Sequence, residues 1–121
     1  MIYHVAPIER WRSEPDRPYA PASLQRDGFV HGVADEEMTL RVANAFFRDP
    51  PSPVIALVID EAGLGEEVEV RDEKAVPTPP GFDDGVVFRH VYGPIDRSAV
   101  VALLDLERDE RGHYTALVPR R

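Results

Sequence analysis

PVIALVI, residues 53–59, is an almost unbroken apolar run rich in β-branched side chains. No polar position interrupts it, which is the pattern of a central strand covered on both faces rather than of a strand with one wet side. Before it, Asp35 fits a helix N-cap, with Glu36 and Glu37 in the first turn, where the helix dipole favours negative charge. Met38, Val42, Ala45 and Phe46 make an apolar stripe, Phe46 and Phe47 are assigned to the core, and Asp49-Pro50-Pro51 stops the helix. After the run, Val68 and Val70 alternate with charged residues, so a half-wet strand is expected there.

Residues 71–85, RDEKAVPTPPGFDDG, are polar and broken by Pro and Gly, and read as an irregular loop. Strand pattern resumes over Val86–Val91. Asp96 fits the cap of a short helical turn, and Val100–Leu106 with Tyr114–Val118 form a closing hairpin around the turn Asp109–Gly112. Towards the N-terminus, Ile2–Val5 is a first strand and Pro7 opens a helix through Trp11. A proline-rich connection then leads to one helical turn over Ala22–Asp27, and Phe29-Val30 is a very short strand that delivers His31. Strands outnumber helices and their order is irregular. The expected fold is therefore α+β, one domain over residues 1–121, with mixed or mainly antiparallel sheets and one main helix.

Composition limits the chemistry. The 121 residues contain no cysteine, which removes disulfides, zinc–thiolate sites and a thiol nucleophile. A net charge of −8 leaves no basic stripe for general nucleic-acid binding, although one arginine and a few backbone N–H groups can hold a single nucleotide. No apolar run has the length of a membrane span, and MIYHVAPIERW lacks the basic-then-apolar pattern of a signal peptide, so a cytoplasmic protein is expected. GxGxxG, GxxxxGK[ST] and GxSxG are all missing; Ser23, Ser52 and Ser98 are the candidate serines, none in a nucleophile motif.

Four histidines remain. His113 lies beside the last turn and reads as a surface residue, whereas His4, His31 and His90 each end or occupy a strand, in IYHV, GFVHG and FRHVYG. One such histidine alone is usually a satisfied structural residue. Three in a chain this small point to convergence on one cleft, since each buried imidazole needs partners for both nitrogens. A three-histidine metal centre with Asp72 or Glu73 is a weaker alternative, because neither HxH nor HExxH is present.

IYHV, the Trp in the following helix, Tyr19 before SLQRDGFVH, VANAFF, the acidic residue of VRDE and FRHVYGPI together resemble a small bacterial family known as domain of unknown function 952, over Ile2 to about Val101. That family is similar to a compact ADP-ribosyltransferase fold, which binds NAD in a cleft between two small sheets. The resemblance implies an NAD-using ADP-ribosyl transfer or NAD-cleaving activity; the alternative is a noncatalytic small-molecule, nucleotide-binding domain. His4 would position a ribose hydroxyl and His31 would border nicotinamide, with either Glu73 or His90 as the third catalytic position. Trp11, Tyr19, Ser23, Phe29, Arg89 and Tyr92 are the implied cofactor contacts, Arg89 towards a phosphate. Two departures stand out: Gly32 and Val33 replace a small polar pair after His31, and Arg89 replaces a common proline before His90.

Overall fold

In a computed structural model describing residues 1–50 and 53–120, Val54–Ile59 form strand β3, and all six of its side chains are buried. It is an interior strand, as its uninterrupted apolar character requires. With β1 (Ile2–Pro7), β6 (Val100–Arg108) and β7 (Tyr114–Pro119) it makes a sheet in the order β1-β3-β6-β7. A second sheet has the order β2-β5-β4, from β2 (Val30–Gly32), β5 (Val87–Tyr92) and β4 (Glu69–Lys74). Every pairing is antiparallel, so the chain is α+β with antiparallel sheets.

The space between the sheets is filled. Ile2, Ala6, Ile55, Leu57 and Ile59 of the larger sheet pack with Val30 and Val91 of the smaller one, and Tyr19, Ile95 and Ala99 join them. Burying each large aliphatic side chain contributes about 1.5–3 kcal/mol, so this layer is the main attraction between the sheets. Reciprocal backbone hydrogen bonds of 2.9 Å between Tyr3 and Val33 tie β1 to the exit of β2.

Two short helices, α1 (Ile8–Arg12) and α2 (Ala22–Asp27), connect β1 to β2, and α3 (Glu36–Phe46) lies on the far face of the large sheet. Asp35 caps α3 by accepting from the Met38 N–H at 2.8 Å. The buried stripe differs from the expected one by a rotation of the helix: Thr39 and Ala43 are buried and Leu40, Val42 and Phe47 pack beside Val5, Val54 and Tyr114. Phe46, assigned to the core from sequence, is 57% exposed. No helix among the described residues is long and apolar enough to cross a membrane.

The segment 71–85 is also corrected. Arg71–Lys74 are not loop but the last four residues of β4, paired with Val87–His90 of β5. An edge strand bonded on one side only can carry charge along its length, and charge there discourages further pairing.

Candidate functional site

GFVHG is built for a change of direction followed by a close approach. Gly28 ends α2 in the left-handed region at φ +85°, its N–H donating to the Leu24 carbonyl at 3.0 Å. Val30 and Gly32 then point into the core and His31 points out, as period-two alternation dictates. A Cβ on Gly32 would lie 2.5 Å from Ile2 Cγ2 and 2.8 Å from the Arg89 carbonyl oxygen, so only glycine lets β1 and β5 come this near.

On the outer face of the smaller sheet, His31 lies directly opposite His90, their ring centroids 5.7 Å apart and nearly perpendicular. Phe29 stacks on His90 at 3.8 Å and sits 4.8 Å from His31 and 5.4 Å from Tyr92. Glu73, from the strand on the other side of β5, accepts from His90 Nδ1–H at 2.9 Å and from the Tyr92 hydroxyl on the same oxygen. The Tyr92 and His90 donors hold the Glu73 carboxyl below its ordinary value, and the same contact with Glu73 raises Tyr92. Arg71 closes this edge, its guanidinium 4.7 Å from the Tyr92 ring centroid and bonded to Glu69 at 2.9 Å.

Because a carboxylate can only accept, His90 carries a proton on Nδ1, and in the neutral ring the lone pair is then on Nε2. That nitrogen has no hydrogen-bond partner among the described residues, and His90 as a whole is 8% exposed beneath the Phe29 ring. His31 donates Nε2–H to Asp27 Oδ2 at 2.8 Å, and Asp27 also accepts from Arg26 at 3.1 and 2.9 Å. Arg26 first and His31 second hold Asp27 well below the usual carboxylate range.

His4 is elsewhere. It shares the inner face of β1 with Ile2 and Ala6, opposite Leu57, and is 7% exposed. Its Nδ1–H donates to the His31 carbonyl at 2.5 Å, which fixes the tautomer, and Nε2 accepts from the Tyr19 hydroxyl at 2.9 Å. Burial lowers its pKa to about 4, and burial likewise raises that of Tyr19 against the opposing pull of Arg10 and Arg97. The expected meeting of three imidazoles in one hollow is therefore corrected to two on the outer face, with His31 exposed and His90 only 8% exposed and stacked on Phe29, and one in the core beneath. Both nitrogens of His4 are engaged, and neither is free for a ribose hydroxyl.

Other expected contacts also scatter. Tyr19 is buried, and Trp11 packs 5.8 Å from it under Arg97, whose guanidinium lies 4.4 Å over the indole. Arg97 donates to the carbonyls of Trp11, Ser13, Glu14 and Arg17, so the hollow lined by Arg10, Ser13, Tyr19 and Arg97 is a knot in the α1–α2 connection. Arg89 points to the inner side and pairs with Asp72 at 2.9 Å and with Glu61, not with a free anion position. Ser23 lies on α2, Ser98 in a short 3-10 turn, and Ser52 falls outside the described residues. No three His, Asp or Glu side chains among the described residues are grouped to hold one metal ion.

Asp27 and Arg71 belong to the group and were not singled out from sequence. Asp27 had a signal: it is the last residue of a helical turn and stands four positions before His31. Arg71 had none, since its segment read as loop.

The family model described as "Protein of unknown function (DUF952)" matches residues 5–103. No curated protein matches. Among solved structures, the chain is similar to the crystal structure of protein CC0527 from Caulobacter crescentus, with 26% identity and a TM-score of 0.70 over 98% of this chain and 92% of that one. A double-mutant form of the same protein matches at 25% identity with the same TM-score and coverage.

Proposed function

This chain belongs to the DUF952 family, proteins of unknown function, and we propose that it is a cytoplasmic NAD-using enzyme of ADP-ribosyltransferase type whose working surface is the outer face of the β2-β5-β4 sheet. Two small antiparallel sheets favour this relationship, but apolar side chains fill the space between them, so the expected cleft between the sheets is corrected to the outer face of the smaller one. The observation that carries the reading is Glu73, a half-buried carboxylate whose pKa is lowered by donors from Tyr92 and from His90, the ring on which Phe29 stacks.

Glu73, Tyr92, His90 and Phe29 would hold the nicotinamide-ribose end of NAD. Bound there, NAD supplies an activated glycosidic bond whose cleavage returns electrons to the nicotinamide ring and leaves positive charge on the ribose carbon. The protein needs an oriented carboxylate and a ring wall for that chemistry more than a strong nucleophile. Glu73 would accept a hydrogen bond from a ribose hydroxyl and would face the developing charge. Tyr92 and His90 keep it from turning away, and Phe29 and Tyr92 offer the wall. His4 is left to support the β2 backbone through the His31 carbonyl.

Thermal unfolding with NAD, together with an assay for released nicotinamide, tests the reading. NAD at 100 times its dissociation constant stabilises the fold by about 2.7 kcal/mol. Glu73→Gln is expected to keep that shift and to lose nicotinamide release by ~100-fold or more, the scale of removing one pre-oriented electrostatic group. No stabilisation by NAD overturns the proposal. Stabilisation without nicotinamide in any acceptor points to a noncatalytic nucleotide-binding domain instead.

A further inference from the structure

Asp27 has no part in holding Glu73, yet it is bonded to the one histidine of the face that projects into solvent. The Gly28 turn brings the end of α2 back against β2, so Asp27 Oδ2 meets His31 Nε2 at 2.8 Å while Arg26 grips both carboxylate oxygens. The acceptor-only carboxylate sets the His31 tautomer and leaves Nδ1 with its lone pair, on a side chain that is 51% exposed. An imidazole fixed in that way on a pre-oriented anion is equipped to take a proton from outside.

We propose that Asp27 is a positioning residue that holds His31 as the general base for the acceptor, and that the acceptor is a neutral hydroxyl, either water or an alcohol. The inference rests on the NAD-cleaving reading above. In the step, the bond between the ribose C1′ and the nicotinamide nitrogen breaks with its electron pair going to nicotinamide. The hydroxyl oxygen forms the new bond to C1′, and its proton passes to His31 Nδ1. The imidazolium, held against Asp27, then releases that proton to solvent. The depressed pKa of Asp27 keeps the partner anionic throughout. A hydroxyl needs this help because it is a poor nucleophile until its proton is removed.

Charged and titratable groups around His31 are Asp27 and Arg26 on α2, His90 on β5, Glu73 and Arg71 on β4, and His4 on β1 beneath its carbonyl. Only Asp27 bonds the ring. The test therefore compares the intact chain with Asp27→Asn and Asp27→Glu, reading nicotinamide release against pH in water and in added methanol, and the His31 tautomer by imidazole nitrogen chemical shifts.

The wild-type ring is expected as the Nε2–H form. Asp27→Asn is expected to mix the tautomers and to lower kcat by ~10–100-fold with KM for NAD unchanged. Asp27→Glu should recover part of the rate. Methanol should divert product from ADP-ribose to its methyl glycoside in the wild type; ADP-ribose alone marks water as the sole acceptor within the same proposal. An Nδ1–H tautomer in the wild type, or an Asp27→Asn enzyme with unchanged kcat, overturns the inference and leaves the NAD reading standing. A wild type that releases no nicotinamide overturns both.

Discussion

His4 and His31 share one hydrogen bond and live in opposite surroundings. His4 lies among Ile2, Ala6 and Leu57 with both nitrogens satisfied, by the His31 carbonyl and the Tyr19 hydroxyl. His31 stands on the other side of β2 with one nitrogen on Asp27 and the other open. In the apolar layer the imidazole is a neutral spacer that stitches two sheets together, whereas on the outer face the same ring is oriented by a carboxylate and kept wet. Residue type alone did not decide the role; the face of the strand did.

The contrast can be broken first by acid. The folded pKa of His4, about 4, lies below the ordinary value of 6.5, so between those limits the unfolded chain takes up a proton that the folded chain refuses. Stability should fall as pH drops through that window and stop falling on this account below about pH 4, a loss on the order of 3 kcal/mol. His4→Gln, which stays neutral, should flatten the slope in a denaturant titration at several pH values. An equal slope in both proteins would mean that His4 titrates freely in the fold and is not the core residue described here.

A smaller effect is expected where the two layers touch. Gly32→Ala places a Cβ against Ile2 and the Arg89 carbonyl, and the crowding should cost about 1–3 kcal/mol, read as a lower unfolding midpoint in urea. An alanine variant as stable as the parent would show that β1 and β5 can part without loss, and with them the separation between inner and outer faces.

Much of the fold was legible. PVIALVI read as a central strand because no residue in it tolerates water, and Asp35 read as a cap because its side chain sits where α3 has unbonded N–H groups. The errors have a common origin in partners that lie far away in the chain. Arg71–Lys74 lacks apolar alternation because an edge strand does not need it, and its identity comes from β5, some 15 residues later. Phe46 and Phe47 are adjacent, and only the docking angle of α3 on Val5 and Val54 packs the second partly against the sheet and leaves the first exposed.

The candidate site was half legible for the same reason. His31 and His90 were recognisable as strand histidines, and Phe29, Glu73 and Tyr92 as their companions, but whether an imidazole faces in or out follows from the pairing of β1 with β3 and β2 with β5. IYHV does not carry that information. A local signal did exist for Asp27, in its spacing from His31 across a glycine turn, while Arg71 became visible only once β4 was paired.

The most direct test is a titration of the protein with NAD while the imidazole nitrogen and carbon-bound proton signals of His4, His31 and His90 are followed by NMR. Saturable shifts at His31 and His90, with the His4 ring signals left nearly in place, are the predicted result. Shifts centred on His4, or none at any of the three, would contradict a reactive outer face on this sheet.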